Sequence, residues 1–325
     1  MPRLKRCQLG LISSIILLTI VFVSGPRLES DIQLTTPELP ESLEAYLRDS
    51  EARFSDITPG TEKTIVWAGE PETKTDYVVV YLHGFSATRQ ETAPVAERIA
   101  AALDANVYST RFTGHGRDGN AMLEGSLSRW LNDTHEAMSI GRRLGEKIIL
   151  LGVSTGGTAA AWAALNDSAR LSVLVLMSPN FGPKDERSMI LTWPWGKQIA
   201  RLVLGPERNW TPHNEAHARY WTTRYPTDAI LPMMAMVKTV HQEDLSTLKM
   251  PSLWIYSEND QVLNVAKIDK AYAQVGSTIK KKIIINDSGD PNHHVLAGEI
   301  LSPSTVTEVV EAVVAFVKSA DKDNL

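Results

Sequence analysis

The chain has 325 residues, 43% hydrophobic and 22% charged, an ordinary globular composition that excludes an intrinsically disordered protein. Its formal net charge of −5 provides no basic surplus to neutralise phosphates, which argues against nucleic-acid binding and favours a small or apolar partner. The single cysteine, Cys7, excludes an internal disulfide and any CxxC zinc or redox site.

The N-terminal segment, residues 1–30, differs from the rest of the chain. Three basic residues, Arg3, Lys5 and Arg6, precede an apolar run over residues 9–23. This run is shorter than the roughly 20 residues of a spanning helix and has the length of a secretory signal, so a cleaved signal peptide is one interpretation. An uncleaved membrane anchor is the other, because the basic flank follows the positive-inside rule. Either way we expect an exported protein, periplasmic or extracytoplasmic, or one held at the membrane by this segment.

Residues 31–60 are polar, with prolines at 37, 40 and 59 around a short helical pattern that includes Leu43, Tyr46, Leu47 and Phe54. We therefore expect a stalk or linker that leads into the folded domain. Beyond it, β-rich runs alternate with helical patterns, which predicts an α/β fold with a mostly parallel sheet covered by helices. Two of the runs are almost continuously apolar, as expected for strands buried on both faces. In chain order, the predicted strands are 64–67, 77–82, 106–110, 147–153, 171–178, 252–256 and 281–286.

A long insertion, residues 180–250, separates the predicted strands 171–178 and 252–256. It is longer than one crossover connection requires and is rich in Trp, Met, His and Pro. We therefore expect a helical cap over the carboxyl edge of the sheet. The α/β core then comprises residues 61–179 and 251–325.

The sequence Gly152-Val-Ser-Thr-Gly156 is a G-x-S-x-G motif between an apolar strand and an alanine-rich helical pattern. Small residues around the serine permit a sharp strand-to-helix turn, from which the Ser154 hydroxyl projects. The N-terminus of the following helix would favour a developing oxyanion through its free amides and its dipole. Ser154 is therefore the candidate nucleophile.

A serine hydroxyl is a weak nucleophile, so it needs a base and an acid that orients the base, and after this motif they follow in the order acid, then histidine. Asp260 comes just after the predicted strand 252–256, which brings its carboxylate to the same sheet edge as Ser154. Glu258 is the competing acid. We favour Asp260 because the apolar residues that follow it return to the core.

The base should come from the loop after the last strand, which contains two adjacent histidines, His293 and His294. His294 directly precedes the apolar start of the next segment, which favours it over His293. The choice between the two stays open in the sequence.

The oxyanion hole requires two backbone N–H groups. One should be that of Thr155, directly after the nucleophile, and the other that of Phe85 in the loop His83-Gly84-Phe85. His83 precedes the nucleophile in the chain, so we interpret its ring as a structural hydrogen-bonding group.

No cofactor or metal site is indicated. His213 and His217 have an i, i+4 spacing that could bind a metal on a helix, but no H-E-x-x-H pattern surrounds them. We therefore expect neither a metal ion nor an organic cofactor.

Five motifs in this order resemble the α/β-hydrolase superfamily, and most closely its carboxylesterase and monoacylglycerol-lipase-like serine hydrolases. They span roughly residues 60–320 and include the loop 83–85, Arg111-Phe-Thr-Gly-His-Gly116, the serine motif, the Asp260 loop and His294-Val295. The resemblance implies a helical cap inserted after the sixth strand, and roles for Arg111 and His115 in stabilising their own loop. The paired histidines depart from the usual single one.

The resemblance also implies a function: hydrolysis of carboxylic esters, of short to medium acyl chain or monoacylglycerol-like, through an acyl-enzyme on Ser154. The partner would be a small-molecule or lipid ester, without nucleic acid. The same triad acts on amides, thioesters and carbon–carbon bonds in related enzymes, so these substrates are alternatives. A membrane-tethered binding protein that keeps the fold without catalysis is a hypothesis of a different class.

Overall fold

The computed structural model describes residues 6–323, in which a seven-stranded sheet lies between two layers of helices. The strands are β1 (Thr64–Val66), β2 (Thr75–Leu82), β3 (Asn106–Ser109), β4 (Gly145–Val153), β5 (Leu171–Met177), β6 (Glu207–Asn209), β7 (Arg224–Pro226), β8 (Ser252–Tyr256) and β9 (Lys280–Ile284). The helices are α1 (Arg6–Val23), α2 (Leu43–Glu51), α3 (Val95–Ala101), α4 (Leu127–Leu144), α5 (Thr155–Asn166), α6 (Gly196–Leu204), α7 (Glu215–Tyr220), α8 (Ile230–His241), α9 (Val265–Gln274) and α10 (Val306–Asp323).

The main sheet has the strand order β1-β3-β2-β4-β5-β8-β9. Its strands pair in parallel except β1, which is antiparallel to β3. This confirms the predicted mostly parallel sheet with flanking helices. The insertion lies between β5 and β8, where the sequence placed it; the sixth-strand position was implied by the resemblance, and counted along this chain the insertion follows the fifth strand.

The two faces of the sheet bury different side chains of the same strands. Along β2, Val78 and Val80 face a core formed with α4 and α5, whereas Val79 and Tyr81 face a core formed with α3 and α10. All four are buried, as the unbroken apolar run predicts for a central parallel strand. Because the strands are parallel, their carboxyl ends meet at one edge, where the loops after β2, β4, β8 and β9 come together.

The segment 31–60, expected to be a linker, is partly packed into the domain. Helix α2 begins at an N-cap, Ser42, whose hydroxyl accepts a hydrogen bond from the Ala45 amide. Its residues Leu43 and Leu47 are buried in the core that includes α4. The sequence predicts the short helix but not its packing, because one narrow apolar stripe on a nine-residue helix does not show what it packs against.

Helix α1 lies at the cap. The Trp195 indole N–H donates to the Val21 carbonyl at 3.1 Å, and the rings of Phe22 and Trp193 meet edge to face. In the described part of the chain, no helix combines the length and the apolar character needed to cross a membrane. Arg3 and Lys5 of the predicted targeting segment lie outside the described residues. Membrane attachment stays a prediction.

The insertion between β5 and β8 contains α6, α7 and α8 and a short antiparallel hairpin of β6 and β7. Helix α8 packs on α5 through buried residues such as Met236 and Val240. The insertion therefore rests directly on the helix that follows the candidate nucleophile.

Candidate active site

Ser154 lies in the sharp turn between β4 and α5 and has a backbone φ of 52°. This left-handed conformation is costly for a residue with a side chain and occurs mainly where surrounding structure enforces it. Small neighbours make the turn possible: a Cβ added at Gly156 would lie 2.1 Å from the Leu82 carbonyl oxygen. The Ser154 amide is held by the Met177 carbonyl of β5 at 3.0 Å.

The structure brings Ser154, His294 and Asp260 together in a chain of hydrogen bonds. The His294 Nε2 atom lies 3.0 Å from Ser154 Oγ, and its Nδ1 atom lies 2.8 Å from Asp260 Oδ2. All three residues are buried. With the Nδ1 proton directed to the carboxylate, Nε2 is free to accept the serine proton, the arrangement of a nucleophile, a base and an orienting acid.

Asp260 is fixed by its own loop after β8. Its Oδ1 atom accepts the amides of Val262 and Leu263 at 2.7 and 2.8 Å, which leaves Oδ2 for His294. The competing acid, Glu258, is exposed, and its backbone amide donates to the Asn286 side chain.

The electrostatics of His294 favour proton acceptance. Burial alone would lower the pKa of this imidazole, but the Asp260 carboxylate, with smaller contributions from Glu91 and Asp290, outweighs it, so the pKa is raised above its ordinary value. Asp260 therefore stabilises the imidazolium that forms when the serine is deprotonated.

The loop that carries His294 is held by groups that the sequence did not reveal. The Asp290 Oδ2 atom accepts the amides of His294 and Val295 at 3.0 and 2.8 Å, and the Ser178 hydroxyl donates to the His294 carbonyl at 2.7 Å. Both Asp290 and Ser178 are buried. Asp290 is one of several polar residues in its loop, so only the fold distinguishes it.

His293, the alternative base, is placed elsewhere. Its backbone is left-handed, with φ of 50°, and its Nδ1 atom is buried without a partner among the described residues. The turn at His293 directs the following side chain, that of His294, toward Ser154. Only His294 therefore has the geometry of a base.

Two amides are available for an oxyanion. In residues 6–323, neither the Phe85 nor the Thr155 N–H donates to a protein acceptor. Thr155 is the first residue of α5, so its amide belongs to the unpaired N-terminal turn of a helix. Both predicted donors are therefore free to bind an oxyanion.

His83 fixes the peptide that carries the Phe85 amide. Its Nδ1 atom contacts the Gly84 carbonyl oxygen at 2.8 Å, and its Nε2 atom accepts the Phe112 amide at 3.1 Å. Burial lowers the pKa of His83 to about 4, so the ring is neutral and carries its proton on Nδ1. The structural role predicted for this ring agrees with these contacts.

The insertion touches the oxyanion loop directly. The Thr222 amide donates to the Ser86 carbonyl at 2.7 Å, and the rings of Phe85 and Tyr225 meet edge to face at 5.3 Å. The cap thus contributes an aromatic contact to Phe85.

A metal site is not evident in the described part of the chain, where no group of three or more His, Cys, Asp or Glu residues could hold an ion. His213 and His217 stack on each other, and His217 Nδ1 accepts the His213 amide at 3.2 Å. One ring nitrogen of His217 is therefore engaged with the backbone.

A family model described as serine aminopeptidase, S33, matches residues 73–289, which is more than half of the chain. A solved structure reported for LipS and LipT, metagenome-derived lipolytic enzymes, is 21% identical with a TM-score of 0.67, covering 81% of this chain and 99% of that chain. Paleococcus ferrophilus monoacylglycerol lipase is 16% identical with a TM-score of 0.58, covering 80% of this chain and 99% of that one. A monoglyceride lipase variant from Saccharomyces cerevisiae is 13% identical with a TM-score of 0.57, covering 91% and 99%. These likenesses establish the fold. No curated protein matched the sequence.

Proposed function

The chain belongs to the serine aminopeptidase, S33 family of α/β-hydrolases, and within it we propose that it hydrolyses carboxylic esters through an acyl-enzyme on Ser154. The observation that carries the proposal is the position of the His294 imidazole, 3.0 Å from Ser154 Oγ and 2.8 Å from Asp260. A short- to medium-chain acyl ester or a monoacylglycerol is the proposed substrate.

In the proposed reaction, Ser154 Oγ attacks the ester carbonyl while His294 Nε2 takes its proton. The Phe85 and Thr155 amides stabilise the oxyanion of the tetrahedral intermediate. Collapse breaks the bond to the alcohol, which leaves with the proton from His294, and the acyl group remains on Ser154. Water, deprotonated by His294, then releases the carboxylic acid and restores the serine.

The family name makes amide cleavage the second candidate, and the charges around the site argue against an aminopeptidase. Such an enzyme must bind the α-ammonium group of its substrate, for which a carboxylate is the natural partner. The buried carboxylates that act on His294, those of Asp260, Asp290 and Glu91, already bind His294 or backbone amides. The cap residue whose ring contacts Phe85 is Tyr225. This suits an uncharged ester better than an ammonium group.

The test is turnover of p-nitrophenyl esters of increasing acyl length beside aminoacyl p-nitroanilides, with the full chain in mild detergent. We expect ester hydrolysis by the wild type and by the control Ser168→Ala, which removes an exposed serine, and none by Ser154→Ala. Faster cleavage of the anilides than of every ester would favour the aminopeptidase. Turnover by folded Ser154→Ala would contradict the proposed nucleophile.

We also propose that the N-terminal segment attaches the protein to a membrane. In support, the side chains of α1 are apolar and exposed, for example Leu11 at 63% and Leu18 at 68%, a surface that water disfavours. The measurement is flotation with phosphatidylglycerol vesicles. We expect the wild type to float and a Leu17→Ser, Leu18→Ser double variant to float less. Equal recovery of both in the dense fraction would contradict attachment through α1.

A further inference from the structure

We propose that Glu91 is a positioning residue that holds the oxyanion loop against the loop that carries His294. The inference rests on the proposed serine chemistry. Glu91 ends a short 3₁₀ turn, Arg89–Glu91, after the oxyanion loop, and no sequence motif singles it out.

The Glu91 carboxylate is buried against the oxyanion loop. Its Oε2 atom accepts the Gly84 amide at 2.7 Å and the Tyr81 hydroxyl at 3.4 Å, while the residue is 2% exposed. A Cβ at Gly84 would lie 2.7 Å from Glu91 Oε1 and 3.2 Å from Ser154 Cβ. Gly84 thus separates the carboxylate from the nucleophile, and only glycine leaves room for both.

Glu91 and His83 together fix both peptides that flank Gly84. Glu91 binds the Gly84 N–H, and the His83 ring contacts the Gly84 carbonyl oxygen at 2.8 Å. That carbonyl belongs to the same rigid peptide plane as the Phe85 N–H, so its orientation sets the direction of the oxyanion donor. Loss of the Glu91 contact leaves Gly84, and with it the Phe85 amide, held on one side only.

The backbone beside Glu91 also supports the segment after His294. A Cβ at Gly298 would lie 2.6 Å from the Glu91 carbonyl oxygen, and the Glu299 amide donates to the Ala93 carbonyl at 3.0 Å. Glu91 is therefore placed between the two loops that must keep their spacing for the reaction.

Its charge acts on the base. Burial raises the pKa of Glu91 to about 7, and its carboxylate adds to the effect of Asp260 in raising the pKa of His294. The ionisable groups that act on Glu91 are Tyr81, His294 and Asp290, and those that act on His294 are Asp260, Glu91 and Asp290. Only the ionised fraction of Glu91 acts in this way, so Glu91→Gln should lower the pKa of His294 by a small amount and move the acidic limb of its pH–rate profile slightly to lower pH.

The experiment measures the rate of Ser154 modification by a fluorophosphonate against pH, using the full chain, so that it needs no knowledge of the ester. Glu91→Ala removes contact and charge, and we expect labelling slower by roughly tenfold to a hundredfold, as for a small misplacement of a catalytic group. Glu91→Gln keeps an oxygen for the Gly84 amide. We expect its plateau rate to stay within about threefold of the wild type, with the acidic limb at lower pH.

Glu97→Gln, which neutralises a carboxylate on α3, is the control and should leave the acidic limb of the pH–rate profile unchanged. Thermal midpoints establish that each variant is folded, and Glu91→Gln provides the test if Glu91→Ala does not fold. The inference would be overturned if the acidic limb of the pH–rate profile of Glu91→Gln lay at the wild-type pH, or if folded Glu91→Ala reacted at the wild-type rate. Either result would leave the proposed function intact. Failure of the folded wild type to react at Ser154 would instead overturn the proposed function and the inference with it.

Discussion

The carboxyl edge of the sheet and the cap above it differ in how they build the site. At the edge, the three residues of the site are each held by hydrogen bonds. The Ser154 amide donates to the β5 carbonyl of Met177, and the Asp260 carboxylate accepts amides of its own loop. The His294 backbone binds the Asp290 and Ser178 side chains.

The cap contributes aromatic packing, such as Tyr225 against Phe85, and hydrogen bonds to the edge loops, such as that of the Thr222 amide to the Ser86 carbonyl. We infer that the edge carries out the reaction and that the cap sets the substrate preference. Directional hydrogen bonds fix the reacting atoms, whereas side-chain packing shapes a pocket.

The largest effect should come from the base. We expect His294→Ala to lower kcat/KM for the preferred ester by on the order of 10⁴-fold to 10⁶-fold, as loss of a triad member does in other serine hydrolases. The matched control is His293→Ala, whose ring nitrogen Nδ1 has no partner in the described residues. Steady-state kinetics of both variants checks this. Equal losses in the two would contradict the separate placement of the adjacent histidines.

Asp260→Asn should rank next, with a loss in kcat on the order of 10⁴-fold, because an amide favours the wrong tautomer of the histidine. Glu258→Gln, at the exposed competing acid, should retain nearly full activity. The measurement is kcat for each variant with folding checked by circular dichroism. A large loss in Glu258→Gln would mean that the acid had been misassigned.

The pH dependence of kcat/KM tests the protonation state of His294 at the same edge. Because the pKa of His294 is raised and the base must be neutral, kcat/KM should fall about tenfold per pH unit below a midpoint above 6.5. The fall occurs as the pH decreases, since protonated His294 cannot accept the serine proton. A pH profile of kcat/KM gives the midpoint. A midpoint well below 6.5 would contradict the stabilisation of the imidazolium by Asp260.

The smallest effect should come from the cap. We expect Tyr225→Ala to change kcat/KM by about threefold to tenfold and to alter the preferred acyl length, because it removes an aromatic contact with Phe85 that is worth roughly 1 kcal/mol. Trp193→Ala is the control, since this aromatic cap residue is 52% exposed. A panel of p-nitrophenyl esters measures the preference. A loss as large as that of Asp260→Asn would remove the distinction between edge and cap.

The sequence places the three candidate residues at one edge for a physical reason, and the structure has them within hydrogen-bond distance of one another. Parallel strands deliver their following loops to one place, so Ser154, Asp260 and His294 could be assembled from their positions after apolar strands. Glu91, Asp290 and Ser178 could not be found this way, because their roles depend on backbone groups of other loops. The packing of α2 and the hairpin of β6 and β7 were missed because short polar elements carry weak periodicity.

The most direct test of the account is to react the folded protein with a fluorophosphonate and locate the adduct by peptide mass spectrometry. We expect one adduct, on Ser154, in the wild type, and almost none in His294→Ala. An adduct on another residue, or equal modification of Ser154 in His294→Ala, would contradict the proposed unit of Ser154, His294 and Asp260.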